Sequence, residues 1–161
     1  MAQFTRYINS PVGWLRLQST ETHLTAVCFD AEEDMNSSVQ PTILKETESQ
    51  LKEYFAGDRK HFNLRLAPEG TEFQQKIWQL VEKVPFGETS SYLDIAKQSG
   101  SEKNTRAVGL ANGKNPIPII IPCHRIIGSS GKLTGYAGGL ERKRWLLKHE
   151  LANTTSAGRL F

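Results

Sequence analysis

The sequence predicts an α+β protein: a small antiparallel sheet with one helix, followed by a helical region that contains a helix-turn-helix. Two patterns carry this reading. The first third holds short alternating apolar runs cut by turn residues, and from Thr71 onward apolar residues recur at three- and four-residue spacing. Size agrees, since 161 residues with 38% hydrophobic and 23% charged side chains suffice for one sizeable domain or two small ones. The same balance excludes disordered, collagen-like and coiled-coil chains.

YINSPVGWLRLQST and THLTAVCFD read as strands broken by Ser-Pro, Gly and Ser-Thr-Glu-Thr. Asp30 to Ser38 is an acidic loop without periodicity. Pro41 opens a helix whose apolar side is Ile43, Leu44, Leu51, Tyr54 and Phe55, stopped by Gly57. HFNLRL, residues 61–66, alternates and is expected to be the last strand of the sheet. These elements form a domain over residues 1–67, closed by Ala67-Pro68-Glu69-Gly70.

A second domain is expected over residues 71–151. Thr71 is placed to cap a helix through residue 84, with Phe73, Ile77, Leu80, Val81 and Val84 on one side, broken by Pro85-Phe86-Gly87. TSSYLDIAKQSG gives a short helix closed by Gly100, and NTRAVGLANGKN gives another after SGSEKN. Together they have the outline of a helix-turn-helix. Pro116, Pro118 and Pro122 forbid a regular helix through NPIPIIIPCHRIIG, yet the residues between them are apolar, so this segment is buried and conformationally fixed. A loop with four glycines follows, SSGKLTGYAGG. LERKRWLLKHEL is the final helix, with Leu140, Leu147 and Leu151 on its apolar face and Trp145 and Leu146 beside it, and residues 152–161 read as a tail.

Charge is unevenly spread. Residues 1–100 carry ten Lys/Arg against fourteen Asp/Glu, net −4, and residues 101–161 carry ten against three, net +7. A basic half fits either a solubilised surface or a polyanionic partner, of which nucleic acid is the commonest. Cys28 and Cys123 cannot build a disulfide framework, and four histidines without HExxH spacing supply no dedicated metal site. The longest apolar stretch is too short to cross a bilayer, and the N-terminus lacks a signal-peptide core. A reducing, cytoplasmic setting is expected.

Cys123 is where chemistry would lie. A thiol becomes a strong nucleophile once ionised, and the adjacent His124 could assist. Neighbours on an extended chain point to opposite sides, so cooperation needs a turn or a bridging water. An inert buried cysteine beside a core histidine is the alternative, and Cys28 within its strand is expected to be of that kind. Glu150, late in the last helix, is positioned either to orient His124 or to sit in solvent. Asn115 could orient a substrate or cap a turn.

PCHRIIGSSG, with NPIPIIIP before it and GYAGGL and KRWLLKHE after it, resembles the active-site region of the methylated-DNA–protein-cysteine methyltransferases, or O6-alkylguanine-DNA alkyltransferases. VPFGETSSYLDIA and TRAVGLANGKNP fit the same pattern, and the resemblance is close over residues 71–151. It implies a ribonuclease H-like N-terminal domain, no cofactor and no metal. The partner would be double-stranded DNA carrying O6-alkylguanine, bound by a monomer through the minor groove with the base flipped out.

By this resemblance Cys123 accepts the alkyl group, irreversibly and once per molecule, with O4-alkylthymine a further candidate substrate. His124 takes the thiol proton through a water, Glu150 polarises His124, Asn115 braces the turn, and Tyr92 donates toward the departing guanine. Arg106 matches the finger that replaces the flipped base, with Ser91, Thr105, Ala107, Asn112 and Lys114 as DNA contacts. Tyr136, Ile126, Ser129, Ala137 and Pro118 line the guanine pocket, and Arg125 has a structural role. Ala137 stands where some members have a serine, and Asn112, Gly113 and Lys114 depart from the better-studied recognition helices. A related non-catalytic group has tryptophan at the acceptor position, so Cys123 speaks for the reactive group. Two other functions fit parts of the pattern: a non-catalytic module that binds alkylated DNA, and a Cys-His-Glu hydrolase.

Overall fold

Turn residues and alternation do build the first sheet. In the computed structural model, which describes residues 3–133, 136 and 138–154, the chain divides into two compact units, Met1–Glu69 and Gly70–Phe161. The first carries β1 (Phe4–Ile8), β2 (Leu15–Ser19) and β3 (Leu24–Cys28) in one antiparallel sheet of order β1-β2-β3. Leu15, Leu17 and Ser19 of β2 alternate into the core, as a one-sided strand must. Helix α1 (Thr42–Phe55) buries Ile43, Leu44, Thr47, Leu51 and Tyr54. Thr47 is tolerated there because its hydroxyl donates to the Ile43 carbonyl at 2.7 Å.

The expected strand at residues 61–66 is reduced to a single parallel bridge between Leu66 and Leu24. Two backbone bonds flank it, Leu24 N–H to Arg65 O at 2.9 Å and Ala67 N–H to Leu24 O at 2.8 Å. Upstream, Gln50 takes over the backbone of Asn63 through its own amide, at 2.9 and 3.1 Å, so no ladder extends there. Cys28 is half-buried and receives an Arg16 guanidinium N–H at 3.5 Å from its sulfur.

The second unit is helical. Thr71 caps α2 (Glu72–Glu82) in a reciprocal box: its hydroxyl accepts from Gln74 N–H, and the Gln74 side chain accepts from Thr71 N–H. Helix α3 (Tyr92–Ser99) begins three residues later than the expected helical run. Ser90–Ser91 instead form β4, paired in parallel with β5 (Ile126–Ile127). Ser91 then caps α3, accepting from Asp94 N–H at 2.9 Å. Gly100, with φ 124°, closes α3, a short 3-10 turn spans Glu102–Asn104, and α4 runs over Thr105–Gly113. Trp78 fastens α2 to α4 by donating its indole N–H to Ala111 O at 2.8 Å.

Helix α5 (Leu140–Thr154) corrects the sequence reading twice. It continues into the expected tail as far as Thr154; residues 155–161 lie outside the described residues. Its inward stripe is Lys143, Leu146 and Glu150, while Leu140 and Leu151 are 43% and 64% exposed. Periodicity failed here because two of the three inward side chains are charged. Among the described residues no helix is long and apolar enough to cross a membrane.

Thr71→Ala removes one side of the box and should cost about 1 kcal/mol of stability, read as a lower urea midpoint with unchanged slope. No shift in midpoint would show that α2 does not depend on its cap.

Candidate active site

The proline-rich segment makes a tight, self-bonded coil. Asn115 is its brace: its Oδ1 accepts from Ile117 N–H at 2.9 Å and its Nδ2 donates to Ile121 O at 2.8 Å. Ile121 N–H returns to Ile117 O at 2.9 Å, which requires Ile119 to sit at φ 75°. A β-branched residue there is strained by roughly 1–3 kcal/mol, held by burial of every residue from Ile117 to Ile126. The coil delivers Cys123–Arg125 as one 3-10 turn, so the adjacent Cys123 and His124 side chains need not oppose each other as on a strand.

Each side chain of that turn has a distinct fate. Cys123 is 2% exposed, and its carbonyl accepts the Asn112 amide at 3.2 Å. His124 is fully buried, with Nε2 2.6 Å from Glu150 Oε2, while Nδ1 makes no hydrogen bond to the described residues. Arg125 turns back to hold the same carboxylate with two N–H groups, at 2.8 and 3.0 Å, and donates a third to Val84 O at 2.7 Å. Its guanidinium also lies 5.7 Å from the centre of the Phe86 ring. Gly87 adds its backbone N–H to Glu150 Oε1 at 3.3 Å. With φ 81° and a would-be Cβ overlapping the Thr154 side chain, position 87 admits only glycine. The expected structural role of Arg125 and the orienting role of Glu150 thus meet in one buried cluster.

The electrostatics follow from that geometry. Burial opposes ionisation of Glu150, but hydrogen bonds and charge from His124 and Arg125 more than reverse this and hold the carboxyl well below its usual range. Burial pushes His124 down despite Glu150, so the imidazole rests neutral, with a lone pair for a proton. Burial pushes the Cys123 thiol up to about 11, against the pull of the Asn115 amide and the Lys143 charge. Cys123 is therefore a protonated thiol at neutral pH, beside a neutral base backed by an ionised acid.

Around this cluster, the β4–β5 pairing ties Tyr92, at the start of α3, to the chain leaving the turn. Tyr136 is half-buried, with its ring 6.5 Å from that of His124 and edge-on to it. Its phenol is held well above the ordinary value, by burial first and by the Cys123 and Glu150 charges next. Ile126 and Pro118 are buried, Ser129 is exposed, and Ala137 lies outside the described residues. Sequence reasoning missed Lys143, whose amine donates to Ile126 O at 2.7 Å. The only signal for it was a spacing of seven residues to Glu150.

Arg106, Ala107, Leu110 and Gly113 are exposed and fall on one face of α4, with the exposed Lys114 capping its C-terminal end. Thr105 caps the preceding turn through its hydroxyl to Glu102 O at 2.6 Å, and Ser91 is occupied as the cap of α3. Leu110, 64% exposed, belongs to this face and was not among the expected contacts. Asn112 does not lie on it. Expected as a DNA contact, Asn112 is 3% exposed because it follows Val108 and Ala111 on the inward face, where its amide serves Cys123. The outer face, with Ala107, Leu110 and Gly113 between two cations, suits the approach of a phosphate backbone. Among the described residues no group of three or more His, Cys, Asp or Glu is placed to hold a metal ion.

Arg125→Met leaves the Glu150 carboxylate buried with one fewer charged partner, which should cost about 3–5 kcal/mol. Urea unfolding at pH 7 measures this, and a loss below about 1 kcal/mol would mean that the carboxylate does not rely on Arg125.

Comparison with known proteins places this geometry. The 6-O-methylguanine DNA methyltransferase DNA-binding domain matches residues 72–152, and the ribonuclease-like domain of the same family matches residues 4–68. The chain is 49% identical to a methylated-DNA–protein-cysteine methyltransferase of Methanosarcina acetivorans, over 88% of this chain and 94% of that one. A constitutive enzyme of the same name from Bacillus subtilis is 47% identical over 88% and 91%. The crystal structure of the Mycobacterium tuberculosis O6-methylguanine methyltransferase superposes with TM-score 0.86 at 42% identity, covering 96% of both chains. A DNA complex from the same organism superposes with TM-score 0.85 at 45% identity, covering 93% of this chain and 94% of that one. The chain belongs to the 6-O-methylguanine DNA methyltransferase family.

Proposed function

We propose that this protein repairs O6-alkylguanine in DNA by direct reversal, with Cys123 as the alkyl acceptor. The observation that carries the reading is the buried Cys123 beside a neutral His124 whose Nε2 is engaged by an ionised Glu150. The Cys123 sulfur attacks the alkyl carbon, forming the S–C bond as the C–O6 bond breaks. The thiol proton passes to His124, and the departing guanine takes a proton from Tyr92. The product is a thioether, and the cluster contains no group suited to hydrolyse it, so each molecule acts once. A Cys-His-Glu hydrolase would instead turn over.

The O6 atom of a paired guanine is inside the stack, so the base must leave the duplex before a buried thiol can reach its alkyl group. The outer face of α4 is the grip we assign to this step. Arg106, exposed at the second position of α4, is the residue assigned to fill the gap, entering from the minor groove. Lys114 and the backbone near Ala107 and Gly113 hold phosphates. A cytoplasmic setting fits a thiol that must stay reduced.

Intact-mass analysis after incubation with methylated duplex should show one added methyl group, located on Cys123, and none on Cys123→Ser. Continued turnover past one equivalent would contradict the acceptor role. For Arg106→Ala, single-turnover repair should slow markedly on duplex, less on single strands, and little on the free base. A mere phosphate contact would slow both DNA substrates alike and lower the salt slope by about 1.

A further inference from the structure

Asn104 stands where the turn between α3 and α4 ends, two residues before Arg106. An asparagine at such a place ordinarily caps the helix by accepting from its first N–H groups. Here the side chain makes no capping bond. Its φ of −80° and ψ of 0° differ from the extended conformation of a capping residue, and its Nδ2 instead donates to Ser99 Oγ at 3.1 Å. The bond runs from the start of α4 to the last residue of α3.

Ser99 is a fixed point. It is 6% exposed, and its hydroxyl donates to Ala96 O at 2.7 Å, which leaves the oxygen free to accept. Its carbonyl accepts the Lys76 ammonium of α2 at 2.7 Å. Gly100 N–H to Lys97 O at 3.1 Å and Ser101 N–H to Ala96 O at 3.2 Å close the end of the helix. The turn beyond is more open: Gly100, Glu102 and Lys103 are exposed, and a side chain added at Gly100 would meet empty space. Val108 anchors the middle of α4 by its burial, whereas Asn104 ties down its start.

We propose that Asn104 is a positioning residue for base extrusion: its bond to Ser99 fixes the direction of the first turn of α4, and with it the Arg106 side chain that fills the vacated place. This rests on the reading of Arg106 given above. A finger that must enter a base stack gains from being held in its working direction beforehand, because less freedom is lost on insertion. Arg106 is exposed and has little packing of its own, so the constraint has to come from the backbone that carries it.

The test is the single-turnover rate of transfer to Cys123 from methylated duplex and from free O6-benzylguanine, which needs no extrusion. Asn104→Ala and Ser99→Ala should each be about fivefold slower on duplex, the scale of one neutral hydrogen bond, and within about twofold of wild type on the free base. The double variant should be no slower than either single one, since both remove the same bond. Asn104→Ala should also add nothing in an Arg106→Ala background. A purely structural role would slow both substrates alike and would add to Arg106→Ala, and either result would overturn the proposal. Slow duplex repair by Asn104→Ala with wild-type repair by Ser99→Ala would mean that Asn104 touches DNA itself, which also overturns it. Should Ser99→Ala fail to fold, by circular dichroism, the Arg106→Ala background decides. Wild-type duplex repair by Arg106→Ala would remove the finger and this proposal with it, whereas a wild-type protein that forms no adduct on Cys123 would remove the acceptor reading beneath both.

Discussion

The second unit is organised around one buried carboxylate. Glu150 collects the His124 imidazole, two N–H groups of Arg125 and the Gly87 amide, and it is 1% exposed. An ionised carboxylate with fewer donors would neutralise rather than stay charged in such a place. The arrangement dictates much else: Pro85-Phe86-Gly87 must end α2 where the Gly87 amide can reach α5, and Arg125 must turn toward Val84 and Glu150. The last turn of α5 must lie close enough that residue 87 has no room for a side chain. What looks like packing is the support of a single charge.

That charge sets the reactivity of the neighbouring turn. A cysteine kept permanently as a thiolate would be exposed to oxidation and to any passing electrophile. Here burial keeps the thiol protonated and His124 neutral, and in the proposed transfer Glu150 would stabilise the imidazolium only once the proton moves. Asn115 and the strained Ile119 serve the same end from the other side, because the coil they close fixes the direction from which the thiol is presented.

Much of this was legible in the sequence, for identifiable reasons. Alternation in LRLQS, the cap at Thr71 and the punctuation at Gly100 are local signals, and they gave the strands and helices of both units. Prolines at 116, 118 and 122 marked the fixed coil, and PCHR with its flanks marked the buried turn that carries Cys123. Three features were not legible. The 61–66 segment alternates as a strand does, but the Gln50 side chain, 13 residues from Asn63 in sequence, takes its backbone partners. Asn112 reads as a polar surface residue until the register of α4 turns it inward to the Cys123 carbonyl. The inward face of α5 was masked because two of its three members, Lys143 and Glu150, are charged, and each is buried against polar partners rather than apolar ones.

The central claim is that the acceptor rests as a protonated thiol and is activated only through the Glu150-backed imidazole. Thiolate absorbance of the resting protein, taken as the difference between wild type and Cys123→Ser across pH 6 to 10, tests it directly. The account predicts no thiolate signal from Cys123 at neutral pH and only its onset at the alkaline end. A full thiolate signal at pH 7 would contradict it.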